Sequence, residues 1–258
     1  MIASLGMYDA AALQGANDRL WALTQDQLAA RGIAAPHSLT RGEGAYWPAW
    51  QSPDLVLSQT CGFPYRARLH GKVTLIGAPD HGLSGVPRGH YRSVIVVRSD
   101  DPRQSLAELT AAPMAFNDDL SQSGWASPAN LAAEMGLTLS PRLRSGSHRA
   151  SAAAVAAGRA DLAALDAVTW AMMQEDGDPS VAALRVLTET PPTPGLPFIA
   201  AAGADGPAIF AALDAAIAAL DADDRDALHL RGLVALPPEA WLAVPIPPPP
   251  AHFGAADG

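Results

Sequence analysis

Short apolar runs alternate with helical patterns along almost the whole chain of 258 residues, and this alternation limits the possible fold more than any other feature. Apolar runs such as Asp54–Ser58 and Val73–Ala78 are each followed by Gly or Pro turn residues. The segment Asn17–Arg31 instead repeats its apolar residues at helical spacing. Strands and helices in alternation are typical of an α/β architecture with a largely parallel sheet. We therefore predict an α/β fold.

The chain is predicted to form two lobes, because two strand-rich segments flank a central block. Tyr91–Val97 is the strongest predicted strand, and Phe198–Ala202 resumes the strand pattern after a proline-rich interruption. We expect lobe 1 to comprise residues 1–97 and 189–258, lobe 2 to comprise residues 98–188, and the two crossover strands to form a hinge. Other predicted strands are Ile2–Leu5, Ser38–Thr40, Met114–Phe116, Arg142–Arg144, Asp161–Ala164 and Ala183–Leu187. The run Pro247–Pro250, with residues 251–258 after it, predicts a polyproline or disordered end.

The charge and the cysteine content exclude several classes of function. A formal net charge of -9, with Lys72 as the only lysine, argues against a nucleic-acid partner. The single cysteine, Cys61, excludes an intrachain disulfide and a thiolate-rich metal site. No nucleotide-binding glycine loop and no zinc-binding His-Glu-x-x-His pattern occurs, so no metal and no cofactor is predicted.

The compartment depends on the start of the chain. The residues after Met1 show no basic region and no apolar core of sufficient length, so no signal peptide is visible. The protein is expected to be periplasmic if a leader was removed, and cytoplasmic if Met1 is the native start. The sequence has no run of eighteen apolar residues, so it is not expected to span a membrane.

Three turns between a predicted strand and a predicted helix carry unusual polar content. The first contains Ser121, Gln122, Ser123, Gly124 and Trp125, the second contains His148, and the third contains Asp166. Serine or aspartate at such a position also serves as a simple helix cap, and a lone histidine there is often a cap or a solvated side chain. Parallel strands, however, place their carboxyl ends at one edge of a sheet, so the three turns are expected to be neighbours. Backbone and hydroxyl donors at a helix start favour an anion.

The candidates in lobe 1 also lie at strand ends or turns. They are Tyr8, Tyr46, Trp47, Gln59 and Thr60. Aromatic residues in loops are often only partly buried packing residues. Together, these side chains are predicted to wall a cleft for a small ligand.

A hydrolase is an alternative interpretation of the same residues. Ser121 or Ser123, with His148 and Asp166, supplies the residue types of a catalytic triad. The nucleophile-elbow pattern Gly-x-Ser-x-Gly is missing, because no glycine precedes Ser121 at the required position.

The polar turns also resemble those of a known family. The segments Ser-Gln-Ser-Gly-Trp at 121–125, Ser-Gly-Ser-His-Arg-Ala-Ser at 145–151 and Gly-Arg-Ala-Asp-Leu-Ala-Ala-Leu-Asp at 158–166 resemble the phosphonate- and phosphite-type substrate-binding proteins of ABC transporters. Tyr91–Asp101 is similar to that family's crossover strand, so the resemblance spans most of the chain. It implies the two-lobed periplasmic-binding-protein type II fold, in which a ligand is clamped between the lobes by hinge closure.

The resemblance also implies roles for particular residues. Ser121, Gln122, Ser123 and Gly124 match the oxyanion-binding helix start. His148 matches the family histidine beside the anion, and Asp166 lies where specificity for the rest of the ligand is set. Tyr46 matches the aromatic residue of the first lobe.

We therefore predict a monomeric, non-enzymatic solute-binding protein that captures a small anionic or zwitterionic ligand, such as a phosphonate-like oxyanion, for uptake by an ABC permease. The alternative is an enzyme on the same fold that acts on a small oxyanionic metabolite, with His148 and Asp166 as acid and base. A ligand-sensing module is a third interpretation, although the sequence contains no DNA-binding segment.

Overall fold

The computed structural model describes residues 1–250 of the chain, and the predicted tail at residues 251–258 lies outside them. The strands are β1 (Ile2–Ser4), β2 (Leu55–Gln59), β3 (Val73–Asp80), β4 (His90–Tyr91), β5 (Ser93–Arg98), β6 (Pro113–Phe116), β7 (Ser140–Arg144), β8 (Leu162–Asp166), β9 (Leu184–Glu189), β10 (Thr193–Pro194), β11 (Phe198–Ala201) and β12 (Gly232–Val234). The α-helices are α1 (Gln14–Ala29), α2 (Trp47–Trp50), α3 (Gly62–Pro64), α4 (Ser127–Glu134), α5 (His148–Ala156), α6 (Ala167–Glu175), α7 (Gly206–Ala219), α8 (Ala222–Ala227) and α9 (Pro238–Leu242). Short 3-10 helices occupy Gly6–Tyr8, Ala11–Leu13, Gly42–Ala45, Leu106–Leu109 and Val181–Ala183, and π-helical turns occupy Tyr65–Leu69 and Gln122–Ala126.

The chain folds into two compact units, each assembled from discontinuous pieces. Unit 1 comprises Met1–His90 and Pro194–Val244, and unit 2 comprises Tyr91–Thr193 with the C-terminal segment that begins at Pro245. These limits differ from the sequence-based limits at 97/98 and 188/189, because β5 hydrogen-bonds to β8 and β9 and so belongs to the sheet of unit 2. The crossing segments β4 and β10 pair with each other as a two-stranded sheet.

Unit 1 contains a five-stranded sheet of mixed direction, in the order β1-β2-β11-β3-β12. β1 and β2 are parallel, whereas β11 is antiparallel to both β2 and β3. The sequence predicted a largely parallel sheet. The structure differs because β11, the strand with which the chain returns to unit 1, runs antiparallel to both of its neighbours. The predicted strand at Ser38–Thr40 is wrong: this short segment has no ladder, although the amide of Thr40 donates to the carbonyl of Ala3 at 2.7 Å.

Apolar side chains cover both faces of the unit 1 sheet. On one face, α1 and α7 pack a buried cluster that includes Leu20, Leu57 and Leu213. On the other face, a second cluster is built around Trp50 and Trp241. A sheet covered on both sides explains why its strands contain continuous apolar runs. Within residues 1–250, no helix has the length and apolar character needed to cross a membrane.

Unit 2 contains a second five-stranded sheet, in the order β7-β6-β8-β5-β9. β6 lies in the middle of three parallel strands, because it pairs in parallel with both β7 and β8. A buried cluster that includes Ile95, Met114 and Leu162 lies against this sheet. The carboxyl ends of the three parallel strands consequently meet at one edge, as the sequence predicted.

A cluster of arginine and aspartate ties the loop after β5 to two other strands of unit 2. Nη2 of Arg103 lies 2.5 Å from Oδ2 of Asp101 and 2.8 Å from Oδ2 of Asp161, which directly precedes β8. Arg185, in β9, donates to the carbonyl of Asp101 at 3.0 Å. The hydrogen bonds from Arg103 lower the pKa of Asp101 to about 2, although burial opposes the shift. Only 3% of the Asp101 side chain is exposed, whereas 29% of the Arg103 side chain is, so the carboxylate is the shielded partner of the pair.

We expect Asp101→Asn to lower the free energy of unfolding by about 1–3 kcal/mol at pH 7, because the amide cannot replace the charge-assisted bonds to Arg103. In the wild type, the contribution of this carboxylate is fully present above its ordinary pKa of 3.8 and is lost as pH falls through about 2. Urea denaturation between pH 7 and pH 2 measures both effects. Asp100→Asn is the control, because the Asp100 side chain is 76% exposed and its pair with Arg98 contributes little. Equal losses in the two variants would contradict the assignment.

Candidate functional site

Ser121 caps the π-helical turn Gln122–Ala126, which continues directly into α4. Its hydroxyl oxygen accepts a hydrogen bond from the amide of Gly124 at 2.9 Å. The helix-cap interpretation of Ser121 is therefore correct. A hydroxyl accepts and donates at once, so the cap leaves the Ser121 hydrogen available as a donor. Ser121, Gln122 and Ser123 are all buried, which gives the turn a low local dielectric.

Gly124 is required by the close approach of this turn to the end of β6. A Cβ atom at position 124 would overlap Oδ1 of Asn117, the residue that follows β6. Oδ1 of Asn117 is buried and has no hydrogen-bond partner among residues 1–250. The glycine therefore allows the turn to sit directly over the strand end, where the side-chain amide of Asn117 is still able to accept a bond.

Ser123 and His148 bring the first two polar turns into contact. The hydroxyl of Ser123 lies 2.8 Å from Nε2 of His148, which is the first residue of α5. The backbone carbonyl of Ser123 is held in turn by the hydroxyl of Ser93, at 2.9 Å. Ser147 caps α5 through the amide of Ala150, so His148 does not have to serve as the cap. The contact joins the ends of β6 and β7 at the edge of the sheet.

Burial lowers the pKa of His148 to about 4, and the backbone carbonyl of Ala164 offsets only part of that shift. The imidazole is therefore neutral at pH 7 in the ligand-free protein. A neutral imidazole beside a serine hydroxyl forms a polar pair that holds no fixed charge. An anion placed beside this pair would favour the imidazolium form and raise the pKa of His148.

Asp166 lies at the end of the neighbouring strand β8 and caps α6. Its Oδ1 accepts from the amide of Val168 at 2.7 Å and from the amide of Thr169 at 3.1 Å, and the residue is only 2% exposed. The sequence placed Asp166 in a turn next to the other two, and the order of the strands agrees. The carboxylate nevertheless supports the helix, so its contact with a ligand stays a prediction.

Gln122 and Trp125, which were also predicted to contact the ligand, form side-chain hydrogen bonds within unit 2. Nε2 of Gln122 donates to the hydroxyl of Ser127 at 2.8 Å. Nε1 of Trp125 donates to the carbonyl of Pro248 at 3.0 Å, and its ring packs 6.2 Å from that of Phe116. Trp125 therefore anchors the C-terminal proline-rich segment, a role that sequence reasoning did not assign to it.

In unit 1, the predicted aromatic residues form a cluster around Trp50. The ring centroids of Tyr46 and Trp47 lie 6.0 Å and 5.1 Å from that of Trp50. The hydroxyl of Tyr46 donates to the carbonyl of Gly6 at 3.0 Å, and burial raises its pKa. Tyr46 is still 37% exposed, so part of its ring remains accessible to a ligand.

Gln59 and Thr60 lie where β2 ends. The side-chain amide of Gln59 donates to the carbonyl of Leu196 at 3.3 Å. The hydroxyl of Thr60 is fully buried and has no hydrogen-bond partner in the described part of the chain. An unpaired buried hydroxyl is costly, which makes Thr60 a candidate to bind a ligand or an ordered water.

Tyr8 and Gln59 line a small cavity in unit 1 together with His81, which the sequence reasoning missed. The ring of His81 meets that of Tyr8 edge-on, with centroids 5.4 Å apart. His81 directly follows β3, and polar residues after a strand were the very signal used for the other candidates. That signal, applied to Asp80-His81-Gly82, would have found it.

Among residues 1–250, no group of three or more His, Cys, Asp or Glu side chains is arranged to hold a metal ion.

The fold is similar to those of solved binding proteins. PhnD1 from Prochlorococcus marinus (MIT 9301), solved in complex with methylphosphonate, is 19% identical with a TM-score of 0.72, over 94% of this chain and 95% of that chain. XAC2383 from Xanthomonas citri, solved with chloride ion, is 18% identical with a TM-score of 0.69, over 93% and 92% of the chains. A binding protein component of an ABC phosphonate transporter from Pseudomonas aeruginosa is 16% identical with a TM-score of 0.62, over 91% and 81%.

A search of curated protein sequences found no significant match. A family profile does match, and its description is "ABC transporter, phosphonate, periplasmic substrate-binding protein". The match covers residues 54–236, which is well over half of the chain. The chain therefore belongs to the periplasmic substrate-binding proteins of phosphonate ABC transporters.

Proposed function

We propose that the protein binds a small phosphonate-like oxyanion at the edge of the unit 2 sheet and delivers it to an ABC permease. The observation that carries the proposal is the contact between Ser123 and His148 at the start of a helical segment. At this contact, a hydroxyl and an imidazole lie beside the first turn of a helical segment, where backbone amides are free to donate. The binding of methylphosphonate by PhnD1, which shares the fold, supports the same ligand class.

The donors of the proposed site come from side chains and from the backbone. The Ser121 hydroxyl retains a hydrogen after capping the turn, and Ser123 supplies a second hydroxyl. The first amides of the helical turn have no carbonyl partner within the helix. An oxyanion accepts several such bonds at once, and burial of the turn strengthens each of them.

The residues of unit 1 are proposed to contact the ligand with less polar groups. The exposed part of the Tyr46 ring and the neighbouring Trp47 would cover it, and the unpaired Thr60 hydroxyl would add one hydrogen bond. That both units clamp one ligand by hinge closure stays a prediction from the sequence.

The enzyme alternative has weaker support from the same residues. A general base works best with a pKa near the operating pH, whereas the pKa of His148 is lowered to about 4. Asp166 is occupied by two backbone amides of α6. We therefore infer that the site binds its ligand without chemical change.

We expect Ser123→Ala and His148→Gln each to weaken the binding of methylphosphonate by about 1–3 kcal/mol, since Ser123→Ala removes a hydroxyl donor and His148→Gln removes the imidazole that pairs with this hydroxyl and that an adjacent anion would protonate. Isothermal titration calorimetry with methylphosphonate, phosphate, sulfate and acetate measures the affinities. Ser38→Ala and His37→Gln are the matched controls, because both residues are exposed. Unchanged affinity in the first two variants would contradict the site. No binding of any anion by the wild type would overturn the proposed function.

The affinity should also depend on pH through His148. An adjacent anion raises the pKa of His148 above its ligand-free value of about 4, so binding takes up a proton. The affinity is then expected to rise as pH falls through the raised pKa and to stop rising below about 4. Titrations of methylphosphonate from pH 8 to pH 4 should show this rise as the ratio of wild-type to His148→Gln affinity, in which protonation of the ligand itself cancels. A ratio that stays constant would show that His148 does not face the anion.

A further inference from the structure

The C-terminal segment Pro245–Pro250, which we name the strap, packs on the helical segment that carries the proposed anion site. Nε1 of Trp125, in the π-helical turn, donates to the carbonyl of Pro248 at 3.0 Å. Nδ2 of Asn130, in α4, donates to the carbonyl of Pro245 at 3.0 Å. Both donors lie in unit 2, to which the strap also belongs. The strap is therefore fixed to unit 2 at two positions.

The proline content of the strap determines its conformation. Five of its six residues are proline. Each proline ring fixes φ near about −65°, and each residue before a proline is restricted to extended backbone. These two restrictions favour the left-handed polyproline II helix, which has no internal hydrogen bonds and repeats every three residues. The strap accordingly contains no α-helix and no strand, so bonds to its carbonyls come from donors outside it.

The burial of the strap follows the same three-residue period. Pro247 and Pro250 are buried, whereas Pro248 and Pro249 are exposed. Residues three apart lie on the same side of a polyproline II helix, so the two buried prolines form one side of the strap. Ile246 is 59% exposed, so proline rings and not the largest apolar side chain hold the strap in place.

The two hydrogen bonds to the strap also match this period. The carbonyls of Pro245 and Pro248 are three residues apart, so in a polyproline II helix they point the same way and lie about 9 Å apart. Their donors, Asn130 and Trp125, are five residues apart, which is about 7.5 Å along a helix. The reach of the two side chains spans the difference. The strap therefore runs antiparallel to the turn and α4, in a register that satisfies both donors.

Trp125 is chemically suited to bind such a segment. Proline has no N–H, so a proline-rich segment is recognised through its carbonyls and its rings. An indole supplies an N–H donor beside a flat apolar surface, and aromatic residues line the grooves that bind polyproline II helices. The contact between Trp125 and the strap thus has the chemistry of polyproline recognition within one chain.

The backbone of one turn joins Trp125 to the proposed anion site. The amides of Trp125 and Ala126 donate to the carbonyl of Ser121 at 3.3 Å and 3.0 Å, and the second of these bonds closes the π-helical turn. Such turns are rare and are frequent at functional sites. Ser123, whose hydroxyl belongs to the proposed site, is two residues before Trp125. The indole that the strap holds is therefore part of the turn that would bind the anion.

We propose that the strap is an intramolecular polyproline ligand of unit 2, and that its docking on Trp125 holds the anion-binding turn in its binding geometry. Trp125 is then a positioning residue, which acts on the ligand through the turn and not by contact. The proposal rests on the proposed function for its anion. Coupling of this kind is reciprocal: docking strengthens anion binding by the same factor by which a bound anion strengthens docking.

Hydrogen exchange at the Trp125 indole measures strap docking in the full-length wild type at pH 7. We expect its Nε1–H to exchange about two- to tenfold more slowly with saturating methylphosphonate than without it. NMR of protein with nitrogen-15-labelled indoles records the exchange. Trp21 is the matched control, because its Nε1 donates to the carbonyl of Pro36, at 3.2 Å, in unit 1. Equal slowing of both indoles, or no slowing at Trp125, would overturn the coupling.

Two pairs of substitutions separate docking from the simple loss of prolines. The double variant Pro247→Ala/Pro250→Ala removes the buried rings, whereas Pro248→Ala/Pro249→Ala removes two exposed rings of the same run. We expect the first variant to bind methylphosphonate about two- to tenfold more weakly in calorimetry and to exchange the Trp125 indole faster, and the second to change neither. Faster exchange with unchanged affinity, or equal effects in both variants, would overturn the coupling and leave the proposed function intact. No binding of methylphosphonate by the wild type would overturn the proposed ligand class and the coupling with it.

A double-mutant cycle tests whether Trp125 acts through the strap. Trp125→Phe removes the indole donor and keeps an aromatic ring. We expect it to weaken methylphosphonate binding about as much as Pro247→Ala/Pro250→Ala does, and the combined variant to lose little more, because both changes break the same contact. Additive losses would show that Trp125 acts on the ligand independently of the strap, and would overturn its role as a positioning residue.

Discussion

The parallel pairing of β6 with β7 on one side and β8 on the other is the constraint on which the candidate site depends. It places three strand-to-helix turns side by side, although they are separated in the sequence. No single turn has the groups of a binding site. The Ser123 hydroxyl meets the His148 imidazole only because β6 and β7 end at the same edge of the sheet. The helices that follow these strands then direct their free amides toward that edge.

The same polar residues support the fold and offer groups to a ligand. Ser121 caps its helical turn through its oxygen and keeps its hydrogen, whereas Asp166 accepts two amides and has much less left to offer. A hydroxyl is suited to this double role because it donates and accepts at once, and a carboxylate only accepts. The helix-cap and ligand-binding interpretations are therefore compatible for Ser121, and they compete for Asp166.

The sequence predicted the local elements well and the long-range partners poorly. The strands and helices around the three turns were found because apolar periodicity is a local signal. The antiparallel insertion of β11 was missed, since nothing near Phe198 indicates which strands it will join. The bond from Trp125 to Pro248 spans 123 positions, so no local pattern indicates that Trp125 packs against the C-terminal segment. His81 directly follows β3 and carries the same local signal as the other candidates, whereas its bond to the carbonyl of His229 spans 148 positions and is not visible in the sequence.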